Sequence, residues 1–175
     1  METMVTLAIF AVIVLVTGSL YSLAQRSYNM AGDEMELIQN ARVAYDRMSR
    51  EVRQSIEVVT YLQPERSESV GEIFFQNGHD TEYINYIYYY LDETDLRRAR
   101  LVYYFEEEPD VYVNFNSVNE DGNPPEEEVL EDRIVAEYFE NLEFWGEDGL
   151  VSISSNLEKG ESDFSAQTAI FSRNY

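Results

Sequence analysis

Carboxylates are the main chemical resource of this chain. In 175 residues, 34 Asp and Glu stand against 12 Lys and Arg, for a formal charge of -22. Paired carboxylates can run general acid–base or glycoside chemistry when their environments push their pKa values apart. Glu106/Glu107 and Asp92/Asp95 offer such pairs. With this many acids adjacency arises by chance, and the sequence writes no apolar pocket around either pair. Ser117, Asn119, Asp121, Gly122 and Glu128 follow the spacing of a calcium loop, in which several oxygens and one glycine wrap the ion. Ser opens that loop, Pro124 and Pro125 interrupt it, and no helix precedes it, so a solvated acidic loop is the expected reading. Nucleophilic chemistry is poorly served. The absence of Cys removes thiol catalysis, Cys-bound zinc and disulfides, and the single His79, in an Asn77-Gly78-His79-Asp80 turn, leaves little for a triad or multi-His metal site. We expect no enzyme, no metal and no cofactor. The charge also repels phosphate backbones, which excludes a nucleic-acid binder working through a basic face.

One carboxylate stands in a different setting. Glu2 precedes a stretch, Thr3 to Gln25, in which no residue is charged. As a helix that stretch covers about 35 Å, enough to cross roughly 30 Å of hydrocarbon. A carboxylate at the mouth of a membrane helix is costly, so it sits at the headgroup level or awaits a partner. Ser22-Leu23-Ala24 also fits the cleavage site of a secretory signal, but the usual basic n-region is absent and a helical pattern continues past Ala24. Leu20, Ala24, Tyr28, Ala31, Met35, Ile38, Ala41, Tyr45, Met48, Val52, Ile56 and Val59 advance in steps of three or four, giving one apolar stripe. Charged residues fill the other faces, with Asp46 placed to pair with Arg42 and Arg50. No Pro intervenes before Pro64. The pattern predicts one helix from the start to about Thr60, about 90 Å long, with Gly18 its weak spot.

Beyond it the period changes. The segments 72–76, 83–91, 101–105, 134–145, 150–154 and 166–173 are rich in β-branched and aromatic residues and read as strands. Asn77-Gly78, Leu91–Asp95 and Gly146–Gly149 read as turns. Tyr86, Tyr88, Tyr89 and Tyr90 populate both faces of one strand, one facing the core and the other open to a subunit contact. The segment 106–132 carries eleven acids and no base until Arg133; Pro109, Gly122, Pro124 and Pro125 mark it as an irregular acidic loop, with 111–115 as an edge strand at most. The fold class is α+β, a sheet packed on the second half of the rod.

Glu2-Thr-Met-Val-Thr-Leu-Ala-Ile-Phe-Ala-Val-Ile-Val-Leu resembles the N-terminal segment of mature type IV pilins and type II secretion pseudopilins, in which a glutamate opens an apolar helix that runs into a globular head. Ala41–Gln54, Ile73-Phe-Phe, the strand at 83–91, Leu96-Arg-Arg and the closing Ile170-Phe-Ser-Arg-Asn174 resemble the J-type minor pseudopilins and related minor pilins. The resemblance covers essentially the whole chain. It implies three parts: 1–25 as the membrane or filament-core half of the helix, 26–61 as its amphipathic half, and 62–175 as a β-rich head with the acidic loop 106–132.

It further implies a structural subunit near a filament tip, held in the bacterial inner membrane as a single pass with an external head, then moved into the filament. Its partners would be other minor subunits, the major subunit through helix packing, and exported cargo. Glu2 would serve filament assembly by meeting a neighbour's amino terminus. Repulsion between copies charged at -22 fits a subunit used sparingly. The family's basic leader and first mature residues do not precede Glu2 here, so cleavage and N-methylation would fall on residues outside this sequence. A membrane-anchored extracytoplasmic binding or sensor domain, and a soluble domain freed by signal peptidase, are the alternative expectations.

Overall fold

With no proline before Pro64 and an interior of Ala, Leu, Ile and Val, the first third of the chain has nothing to stop a helix. In the computed structural model, which describes residues 2–79 and 82–172 apart from the side chains of Glu2 and Ala8, α1 runs unbroken over Glu2–Arg53. Its 52 residues make a rod of about 78 Å. It ends earlier than the expected Thr60. Buried Ser55 turns its hydroxyl onto the Val52 carbonyl (2.8 Å), and Ile56 donates its backbone N–H to Gln76 (3.0 Å). The β-branched residues that follow are then taken into a strand, β1 (Glu57–Val58).

The head is antiparallel throughout. β2 (Ile73–Gln76), β3 (Tyr86–Asp92), β4 (Asp95–Phe105), β5 (Glu108–Val113) and β6 (Glu126–Ala136) join β1 in one sheet. β4 is its spine: β3 and then β5 pair along one edge, β6 along the other. β7 (Phe139–Trp145), β8 (Leu150–Lys159) and β9 (Ser162–Phe171) form a second sheet in that order. Val70 bridges the two sheets by pairing with Phe144 of β7. The expected turns at Leu91–Asp95 and Gly146–Gly149 are present, with left-handed Glu93, Asp148 and Gly149. Asn77-Gly78 does not close a tight hairpin; β2 and β3 are joined through 77–85. Gly78 is needed for space, since a Cβ there would stand 1.9 Å from the Gln54 carbonyl oxygen at the helix end.

Three expectations are corrected. The acidic segment 106–132 is irregular only in part, because β5 and residues 126–132 of β6 take up 13 of its 27 residues, with 114–125 left between them. Carboxylates fit a strand here because β4 presents cations opposite them: Arg98 meets Glu131 (3.2 Å) and Arg97 meets Asp132 (3.0 Å). The stretch 134–145 is two strands, broken by left-handed Tyr138. The buried row of α1 departs from the expected stripe in part: Ala41, Met48 and Val52 belong to both, Leu37 and Ala44 do not. Leu37, Ala41, Ala44, Met48 and Val52 are buried, while Met35 and Ile38 of the expected stripe are exposed. Two neighbouring rows of a helix can both be traced in steps of three and four. The head covers the one where Ala41 and Ala44 let the backbones approach closely. That row packs on Phe75, Tyr89, Phe144, Ile153 and Ile170, with β9, β8 and β6 as the strands nearest the helix.

Candidate functional site: the bare half of the long helix

α1 passes through two environments. From Val12 to Val16 every residue is exposed, and Leu7, Phe10, Tyr21 and Leu23 join them. Consecutive positions point in all directions around a helix, so this half is apolar on every side. It is long and apolar enough to span a membrane. Polar groups within it are dealt with locally, as where the Ser19 hydroxyl donates to the Leu15 carbonyl (2.9 Å). Gly18 has open space where a side chain would be.

The head first touches α1 near Arg26. Arg26 donates to Glu161 at the tip of the β8–β9 hairpin (Nε–Oε2 3.2 Å), and the Ser162 hydroxyl reaches the Met30 carbonyl (3.4 Å). One turn on, Lys159 pairs with Asp33 (3.6 Å) and Glu36 (2.5 Å) and lies over the Tyr138 ring, 4.8 Å from its centre. The Lys159 ammonium and the Tyr138 hydroxyl hold the Glu36 carboxyl below its ordinary value. Farther along, Glu51 accepts from Tyr89 (2.7 Å), Arg98 (3.0 Å) and Arg47 (3.3 Å), and Arg98 goes on to Glu131. Burial works against the Arg98 cation, yet the Glu51 carboxylate more than offsets it and leaves Arg98 above its ordinary value. Two arginines and two glutamates balance inside this network, which bolts the helix to β3, β4 and β6. The expected Arg42–Asp46 pair is on the exposed face at 3.8 Å.

Glu2 is the first residue of α1, and its side chain lies outside the described residues. Arg173, Asn174 and Asp80 lie outside them as well. Of the calcium-like set, Asn119 spends its side-chain oxygen on the backbone N–H groups of Asp121 (3.1 Å) and Asn123 (2.8 Å), while Glu128 belongs to β6. Among the described residues no group of three or more His, Asp or Glu side chains is placed to hold a metal ion. Asp92 and Asp95 face each other across the β3–β4 turn. The tyrosines of β3 divide as their alternation requires: Tyr89 enters the core, and Tyr86, Tyr88 and Tyr90 line the sheet face turned away from α1. Phe74, Tyr103 and Phe115 complete that outer face, a gathering the sequence reading missed because the three come from separate segments. No protein-family model, curated protein or solved structure matches this chain.

Proposed function

We propose that the chain is a non-enzymatic structural subunit of a type IV pilus-like or type II secretion filament, a minor pseudopilin or minor pilin placed at or near the tip. The observation that carries this reading is the undivided helix. Its first half is apolar and uncovered by its own head; its second half buries one row under the antiparallel head. Such a rod suits storage in a bilayer followed by packing among sister helices, since both settings bury the same surface. Glu2 would be the charged end that finds an amino terminus when the helix leaves lipid.

The test is fractionation of the producing cell. Sheared filaments are separated from membranes, and the head is followed with an antibody. The subunit is expected in the filament fraction, and Glu2→Ala is expected to trap it in the membrane. Intact protein found only in the membrane, with Glu2→Ala indistinguishable from the parent, would favour the anchored binding or sensor domain and sink the filament reading.

A further inference from the structure

The outer face of the first sheet carries a groove of about 640 Å³. Its floor is aromatic and aliphatic. Phe74 stacks on Tyr86 with ring centres 5.0 Å apart, Tyr88 stacks on Tyr90 at 4.9 Å, and Tyr103 meets Tyr86 edge-on at 5.5 Å. Three phenols rise from this floor, and each donates its O–H to a carboxylate on the rim: Tyr88 to Glu72, Tyr90 to Asp132 (3.0 Å) and Tyr103 to Glu127 (2.6 Å).

The consequence lies in what remains. The protons of these three phenols are already committed to carboxylates, so the groove offers acceptor oxygens and ring faces and has spent these donors. Among the described residues no Lys or Arg lines it. Arg97, near one end, is engaged by Asp132 (3.0 Å) and Asp92 (3.6 Å). Among the described residues no ion pair neutralises Glu72 or Glu127, and both are exposed. Burial and the facing carboxylates hold the Tyr88 and Tyr103 phenols above their ordinary value, as expected where negative charge is concentrated. A ligand that complements this surface brings N–H donors, a positive charge and an apolar stem. Anions are repelled.

We propose that this groove docks a lysine or arginine side chain presented by a partner polypeptide, its stem lying on the rings and its cation between Glu72 and Glu127. Cation–π attraction and charge-assisted hydrogen bonds then act on the same group. The groove has room for a side chain with its neighbours, far more than a small ammonium ion requires. It opens on the side of the sheet opposite α1, so a partner can sit there while α1 is embedded or packed. The proposal rests on the head alone and stands or falls separately from the filament reading.

The test uses the full chain in detergent and short acetylated, amidated peptides that share apolar flanks and differ only at the centre: Arg, Lys, citrulline, norleucine or Glu. Arg and Lys peptides are expected to bind at least about fivefold tighter than citrulline and norleucine peptides. The double variant Glu72→Gln/Glu127→Gln is expected to erase that preference and leave thermal unfolding unchanged, since both side chains are exposed. Equal binding by Arg and citrulline peptides would overturn the proposal, as would a preference that survives in the double variant. Tetramethylammonium competing as well as the Arg peptide would overturn the choice of a polypeptide occupant.

Discussion

The two halves of α1 share a backbone and differ in almost everything else. From Leu37 to Val52 one row is sealed under the head, and the charges beside it are paired. From Thr3 to Leu23 the same helix is uncharged, and its described side chains are exposed. A surface of that size is not left in water by a stable monomer. The difference teaches that the head covers one row of the helix's second half and leaves the first half, long and apolar enough to span a membrane, uncovered. Identical substitutions should therefore have unequal effects in the two halves.

The largest effect is expected at the bolt between helix and sheet. Glu51→Ala strips Arg98 and Tyr89 of their shared acceptor inside the protein, where the Arg98 side chain is only 8% exposed. Urea unfolding of the detergent-solubilised chain should show a loss of about 3–5 kcal/mol. A loss below about 1 kcal/mol would mean that the network contributes little.

Met48→Ala opens a cavity under the head and should cost about 2–4 kcal/mol by the same measurement. Leu15→Ala removes a similar volume from the bare half and should leave head stability within about 0.5 kcal/mol of the parent. Equal losses at the two positions would abolish the distinction between the halves.

A third, smaller effect is set by pH. Burial, followed by the Glu51 carboxylate, raises the Tyr89 phenol above its ordinary value of 10.0; burial also raises Tyr88 and Tyr103, with Glu72 and Glu127 adding to it. Because the folded values lie above the unfolded ones, this stabilisation is complete below pH 10 and is lost as pH rises beyond it. The melting temperature of the head should hold steady to about pH 9.5 and fall above about pH 10, while the bare half stays helical in far-ultraviolet dichroism. A melting temperature that rises above pH 10 would contradict the phenol–carboxylate pairing. The smallest effect is expected at the junction. Arg26 and Glu161 are each about two-thirds exposed, so Arg26→Ala should cost under about 1 kcal/mol, and less in high salt.

Much of the fold was legible because its strongest signals are local. An uncharged run from Thr3 to Gln25 can hardly be anything but a helix, and the turn at Leu91–Asp95 announces itself in residue type. The helix end was overshot because Ile56 and Val59 keep helical spacing, yet β2 offers their backbone a sheet edge that no local pattern reveals. The part of β6 before Ile134 was missed for a related reason. Glu126, Glu127 and Glu128 read as a solvated loop until β4 places Tyr103, Arg97 and Arg98 along their strand. In the outer groove, the tyrosine alternation of β3 was visible. Its rim was not, because Glu72, Glu127 and Asp132 come together only through strand register.

The undivided rod can be measured directly, and a chain without Cys makes the measurement clean. Spin labels on Ser19→Cys in the bare half and Arg50→Cys in the docked half, both exposed, report their separation by double electron–electron resonance in lipid nanodiscs. One narrow distribution near 46 Å, the length of about 31 helical residues, is the expected result. A distribution centred below about 35 Å, or one spread over tens of ångströms, would show a bend or hinge between the halves and contradict the shared shaft.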